Sequence, residues 1–201
     1  MLSRFMLVTD RRLMKPSFEE ALHAALEGGA RLVQLREKDL TVEELKVLAQ
    51  AAQRLCESFD ASLLVNTEVE VARAIGARGV HWPERCLGNQ IDYSKGFVNG
   101  VSVHSVEAAQ SAQKVGADYV VFGAIFPTSS HPGAPVAGLE ALREVTAAVS
   151  VPVYAIGGID SERTANMCFQ SGAHGIAVRS NAWEAPDVKQ RVSHLRRWTG
   201  E

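Results

Sequence analysis

The chain has 201 residues, 46% hydrophobic and 22% charged, and its 21 Lys and Arg against 23 Asp and Glu give a net charge of -2. This composition excludes disorder as the main state, and the near balance of charge leaves a nucleic-acid-binding surface without support. Cys56, Cys86 and Cys168 are far apart with no C-x-x-C pair, which argues against a disulfide framework or a cysteine-based zinc site and for a reducing compartment. No window approaches the ~18 uninterrupted apolar residues of a membrane span, so a cytoplasmic protein is expected.

Short apolar runs suited to buried strands alternate along the chain with longer amphipathic stretches. Strands are expected at 5–9, 32–36, 63–66, 79–82, 98–101, 119–122, 153–156 and 175–178, and helices at 18–27, 42–58, 68–75, 106–114, 139–148, 161–170 and 185–198. Each strand but the fourth has a clear helix behind it. Gly29-Ala30, Gly76-Ala77, Gly116-Ala117 and Gly172-Ala173 each close a helix just before a strand, where glycine can take the left-handed cap conformation. At about 25 residues per β-α unit, the pattern reads as one compact (β/α)8 barrel spanning residues 1–201. The rival, an open doubly wound sheet, lacks its G-x-G-x-x-G fingerprint after the first strand.

In such a barrel, function gathers where strands end and βα loops begin. Strand two runs into Gln34, Arg36 and Lys38, where alternation sends Gln34 and Arg36 to one face. Arg36 is then a fork for a carboxylate or phosphate, or half of a structural ion pair. Strand three ends in Asn66 and strand four in His81 and Trp82, residues that can orient a polar ring or simply complete the packing. After strand five, Ser105 is a natural helix N-cap, and His104 is either an acid or base at the barrel mouth or a packed histidine. Strand six feeds a long loop rich in Pro and Gly around Thr128, Ser129, Ser130 and His131, which reads as a lid or as plain turn composition. Strands seven and eight deliver Gly157-Gly158 and Arg179-Ser180, at the recurrent phosphate position of this architecture.

Taken together, LVTD at 7–10, VQLREK at 33–38, GVHW at 79–82, VSVHSVEAA at 101–109, GADYVVFGAIFPT at 116–128, VPVYAIGGI at 151–159 and GAHGIAVRS at 172–180 resemble the thiamine phosphate synthase and TenI group of barrels over nearly the whole chain. The resemblance implies a phosphorylated thiazole ligand and a place in thiamine biosynthesis. Synthases of the group join a pyrimidine diphosphate to thiazole phosphate with Mg2+ aiding the leaving diphosphate. Here Thr67 stands where the family pattern has one aspartate and Cys86 aligns with another, with Glu68 and Glu84 displaced nearby. Magnesium prefers hard oxygen ligands.

The expectation is therefore the TenI-type branch, a thiazole tautomerase that needs no metal or other cofactor. Thiamine phosphate synthase with Mg2+, or a non-catalytic thiazole-phosphate-binding regulator, are the alternatives. The expected acid/base is His131, with His104 second, because the family's histidine position after strand six holds Ala124. Gln34, Arg36, Lys38, Asn66, His81, Thr128 and Ser130 are expected to bind substrate, and Gly157, Gly158, Arg179 and Ser180 its phosphate, with no metal ligands. The expected partner is a small molecule rather than nucleic acid or membrane, and a homo-oligomer is compatible with the sequence.

Overall fold

The computed structural model describes residues 2–88, 96–128, 133 and 135–201. Its strands are β1 (Phe5–Val8), β2 (Leu32–Leu35), β3 (Ser62–Asn66), β4 (Gly79–Trp82), β5 (Val98–Val103), β6 (Tyr119–Gly123), β7 (Val153–Ile156) and β8 (Gly175–Val178). They form a closed sheet in the order β1 to β8, and the pairs with a defined register are all parallel. This is the (β/α)8 barrel expected from the sequence. Both faces of such strands are covered, which is why they read as continuous apolar runs rather than alternating ones.

The helices are α1 (Phe18–Glu27), α2 (Val42–Ser58), α3 (Val69–Ile75), α4 (Val106–Lys114), α5 (Gly138–Ala148), α6 (Glu162–Gln170), α7 (Ser180–Trp183) and α8 (Val188–Arg197), with a 3-10 turn at Glu84–Cys86 behind β4. Ser17, Thr41, Ser105, Ser161 and Asp187 cap five of them through their side chains. The four Gly-Ala pairs do what their type requires. Gly29, Gly76, Gly116 and Gly172 all have positive φ. The alanine amide after each reaches the carbonyl five residues back, as in Ala77 to Ala72 at 2.9 Å and Ala117 to Ala112 at 3.0 Å. This is the Schellman closure that turns a helix end into the next strand.

Several boundaries differ from expectation by one or two residues, and the region after β8 departs further. Residues 185–198 do not form one helix: Pro186 disfavours helical backbone at Ala185, Asp187 caps the amide of Gln190, and α8 starts at Val188. The tract after β8, expected as loop, instead forms the single turn α7.

By contacts the chain divides into two units, Met1–Val80 with Val178–Glu201, and His81–Ala177. In the first, the two chain ends are tied together by the Arg4 amide donating to Glu201 at 2.9 Å and the Arg4 guanidinium donating to the Thr199 carbonyl at 2.9 Å. In the second, Tyr119, Tyr154 and Phe122 are large, fully buried side chains, each contributing roughly 1.5–3 kcal/mol through burial. No helix among the described residues is long and apolar enough to cross a membrane.

Candidate functional site

In the first unit, the carboxyl ends of β1, β2, β3 and β8 carry a charged rim. Gln34, 3% exposed, donates from Nε2 to Asn66 Oδ1 at 3.2 Å, and Asn66 Nδ2 donates to Thr67 Oγ1 at 2.8 Å. Thr67 has φ +71°, a left-handed conformation that a β-branched residue adopts only under strain. Gln34 and Asn66 are thus brought together as one amide pair. Lys38 is exposed.

Four arginines and three carboxylates populate this rim, and most of them pair. Arg12 Nε and Nη2 grip both oxygens of Asp10 at 2.9 and 3.1 Å, and this hydrogen bonding holds the Asp10 carboxyl below its ordinary range. Arg11 Nη1 donates to both oxygens of Asp39 at 3.0 and 2.9 Å. Glu37 is buried, accepts from Thr9 Oγ1 at 2.6 Å and from the Arg11 amide, and burial pushes its pKa up.

Arg36 remains. Its amide donates to Thr9 Oγ1 at 3.0 Å, but its half-buried guanidinium makes no hydrogen bond or ion pair with the described residues. Burial first, and then the charge of Arg179, lower its pKa. The structural ion pair allowed by sequence is not formed among these residues, because the adjacent Glu37 is turned to Thr9 and Arg11. Arg179 follows β8 directly and is also half-buried, and Ser180 is the first residue of α7. The pairing of Asp10 with Arg12 and of Glu37 with Thr9 is not legible from sequence. Its only signal was the acid closing LVTD, since pairing between different strand ends leaves no local pattern.

In the second unit, the polar residues are mostly spoken for. His81, 2% exposed, has Tyr119 Oη 2.9 Å from Nδ1 and Ser102 Oγ 2.8 Å from Nε2, so both ring nitrogens are engaged within the barrel wall. Burial raises the Tyr119 pKa well above its ordinary value and keeps the phenol protonated. Trp82 Nε1 donates to Asn99 Oδ1 at 3.2 Å. His104 Nδ1 lies 2.6 Å from Glu84 Oε2 on the exposed side, an ion pair when the ring is protonated. Ser105 caps α4 through the Ala108 amide at 3.1 Å. Thr128 is half-buried; Ser130 and His131 lie outside the described residues.

Gly157 and Gly158 have φ +100° and +66°, and both lie against the start of the β6-α5 connection. A Cβ on Gly157 would stand 2.6 Å from Ala124 Cβ, and one on Gly158 would stand 2.7 Å from Phe126 Cβ and strike the Pro127 carbonyl. The glycines therefore allow two loop stems to touch, with Phe126 N donating to Gly157 O at 3.0 Å. That packing is a structural reason for the Gly-Gly pair beside the anion-binding one read from sequence.

The described donors at these positions do not suit a hard divalent cation. Among the described residues no group of three or more His, Cys, Asp and Glu side chains converges. Thr67 offers a neutral hydroxyl already bonded to Asn66, Glu84 faces His104, and Cys86 is a soft ligand.

The family model described as thiamine monophosphate synthase matches residues 5–182. The chain belongs to the thiamine monophosphate synthase family. It is 43% identical over 178 residues to a putative thiamine-phosphate synthase 2 of Aquifex aeolicus, covering 88% of this chain and 95% of that one. It is 38% identical over 193 residues to the thiamine-phosphate synthase of Pyrococcus abyssi, covering 95% and 92%. Among solved structures, thiamine phosphate pyrophosphorylase from Pyrococcus furiosus superposes with a TM-score of 0.86 at 35% identity, covering 98% of this chain and 95% of its own. Within this family the names favour the synthase over the tautomerase expected from sequence.

Proposed function

We propose that this chain is a thiamine-phosphate-synthase-type transferase acting on a phosphorylated thiazole and a pyrimidine diphosphate. The observation that carries the reading is its 38% identity to the Pyrococcus abyssi thiamine-phosphate synthase across 95% of the chain. In that reaction the bond to diphosphate breaks and its electron pair leaves with the diphosphate, so the site must supply positive charge where that group departs. Arg36 is this chain's first means of doing so, and Gln34 and Asn66 form an amide pair able to orient a polar ring. The Gly157-Gly158 turn and Ser180 are assigned to the thiazole's phosphate, and the protein to the cytoplasm. The family's Mg2+ does not fit the donors present, and no step is assigned to it.

One feature favours the tautomerase as a second reading: Thr67 and Cys86 occupy positions where the family pattern carries acids. Tautomerisation needs only an acid or base and anchors for the anionic groups. In that case His131→Ala lowers the rate of aromatisation roughly 100-fold, and a dead His104→Ala beside an active His131→Ala transfers the role to His104. The deciding experiment gives the protein both synthase substrates and follows pyrophosphate release, and separately follows aromatisation of the carboxythiazole phosphate tautomer. Pyrophosphate release supports the synthase; aromatisation without release supports the tautomerase. Tight thiazole phosphate binding with neither reaction leaves a binding protein.

A further inference from the structure

Three strand ends meet around the end of β1. Thr9 ties β1 to β2 twice, its amide donating to Gln34 O at 2.9 Å and its hydroxyl accepting from the Arg36 amide at 3.0 Å. From the other side, Trp183 of α7 donates its indole N–H to Val8 O at 2.7 Å, pinning the short segment that follows Val178 onto the end of β1. Arg36 and Arg179 are thereby fixed on either side of β1, on short backbone segments that are hydrogen-bonded to it. Arg12 and Arg11 are matched by Asp10 and Asp39, and Glu37 is engaged by Thr9 and the Arg11 amide. Neither the Arg36 nor the Arg179 guanidinium has a hydrogen bond or ion pair with any described residue, although the backbones of both are bonded, Arg36 N to Thr9 Oγ1 and Arg179 O to Ala182 N. Two half-buried like charges on neighbouring strand ends repel, and Asp10 and Glu37, which offset that repulsion at Arg36, are themselves bonded to Arg12 and Thr9; an anion between the two guanidinium groups would relieve it further.

We propose that Arg36 and Arg179 together form a two-guanidinium clamp for an oxyanion of the substrate, with Arg179 a binding residue in its own right. The charge of Arg179 is felt at both Arg36 and Asp10, in keeping with that placement. Resting on the synthase reading, the anion is the diphosphate, and the clamp supplies charge that the Thr67 and Cys86 positions do not help a cation to provide. The same chemistry would take a ring carboxylate if the tautomerase reading holds. Arg fits either because its planar fork can donate two parallel hydrogen bonds to one oxyanion.

The probes are inorganic pyrophosphate and a heteroaromatic carboxylate, each titrated by calorimetry in EDTA against the full chain and the variants Arg36→Met, Arg179→Met and Arg179→Lys. The expected result is metal-independent binding of one of these anions, weakened about 10-fold or more by either Met variant and partly kept by Arg179→Lys. Because the Arg179 guanidinium surrenders no hydrogen bond or ion pair with a described residue, Arg179→Met should unfold close to the parent's temperature without ligand, and gain less on adding the anion. Preference for pyrophosphate assigns the clamp to the diphosphate, and preference for the carboxylate assigns it to the ring. Unchanged affinity in Arg179→Met, or binding of both anions only when Mg2+ is added, overturns the clamp. Clamp binding without pyrophosphate release in the coupled assay overturns the synthase reading alone, and Mg2+-dependent release indifferent to Arg179 overturns the clamp alone.

Discussion

The charged rim of β1, β2, β3 and β8 and the wall of β4 to β7 are built from the same βα repeat but spend their polar groups in opposite ways. In the wall, His81, Ser102, Tyr119, Trp82 and Asn99 satisfy one another. On the rim, two guanidinium groups have no described partner, and Thr67 holds a strained backbone. A buried polar group that has its partner contributes stability, whereas one left without a partner costs stability until a ligand arrives. On the proposed reading, binding capacity belongs to the rim, and substitutions in the two regions should differ in sign as well as size.

The largest effect is expected in the wall. A methyl on Gly100 would collide with the Tyr119 ring, its neighbour across the β5–β6 pair, so Gly100→Ala should lose about 3 kcal/mol in urea unfolding. Next, His81→Leu leaves the Tyr119 and Ser102 hydroxyls without their shared partner and should cost about 2 kcal/mol; a neutral result would show that the histidine is not structural. On the rim the sign reverses. Thr67→Asp keeps an acceptor for Asn66 and tolerates the left-handed backbone better, so it should gain about 1 kcal/mol, and a loss would mean that the threonine methyl is packed.

The smallest effect is one of pH. The Asp10 pKa lies below its ordinary 3.8, so its pairing with Arg12 contributes fully above that value and fades as pH falls through the lowered one. Asp10→Asn should therefore narrow the difference in urea midpoint between pH 7 and pH 3 only slightly, because a pair whose arginine is exposed contributes little. Buried Glu37 works the other way. Its raised pKa means that the folded state holds the proton more tightly than the unfolded chain does, so this contribution to stability declines as pH rises from the ordinary 4.5 through the raised value.

Local signals were legible in the sequence, while long-range partnerships were not. The strands, the Gly-Ala helix ends and the Ser105 cap each depend on residues a few positions apart. At Ala185 to Asp187 the amphipathic period predicts helix, while Pro186 and the capping Asp187 start it at Val188. His81 was read as substrate-facing since a strand-end histidine looks alike whether it faces a cavity or Tyr119. Arg36 stood out by type, but its lack of a counter-ion depends on how Thr9 and Arg11 engage Glu37 from another strand. The Gly-Gly turn after β7 resembled an anion cradle, and its packing against Ala124 and Phe126 was invisible without the fold.

The contact between Gly100 and Tyr119 also constrains how this protein can diversify. Any side chain at position 100 must be preceded by a smaller one at 119, yet removing the phenol strips His81 Nδ1 of its Tyr119 partner. The first step is therefore deleterious before the second becomes tolerable, and the two positions behave as one inherited unit. Directed evolution by single substitutions should leave both untouched, whereas paired libraries at 100 and 119 should recover compensated combinations that stepwise search cannot reach.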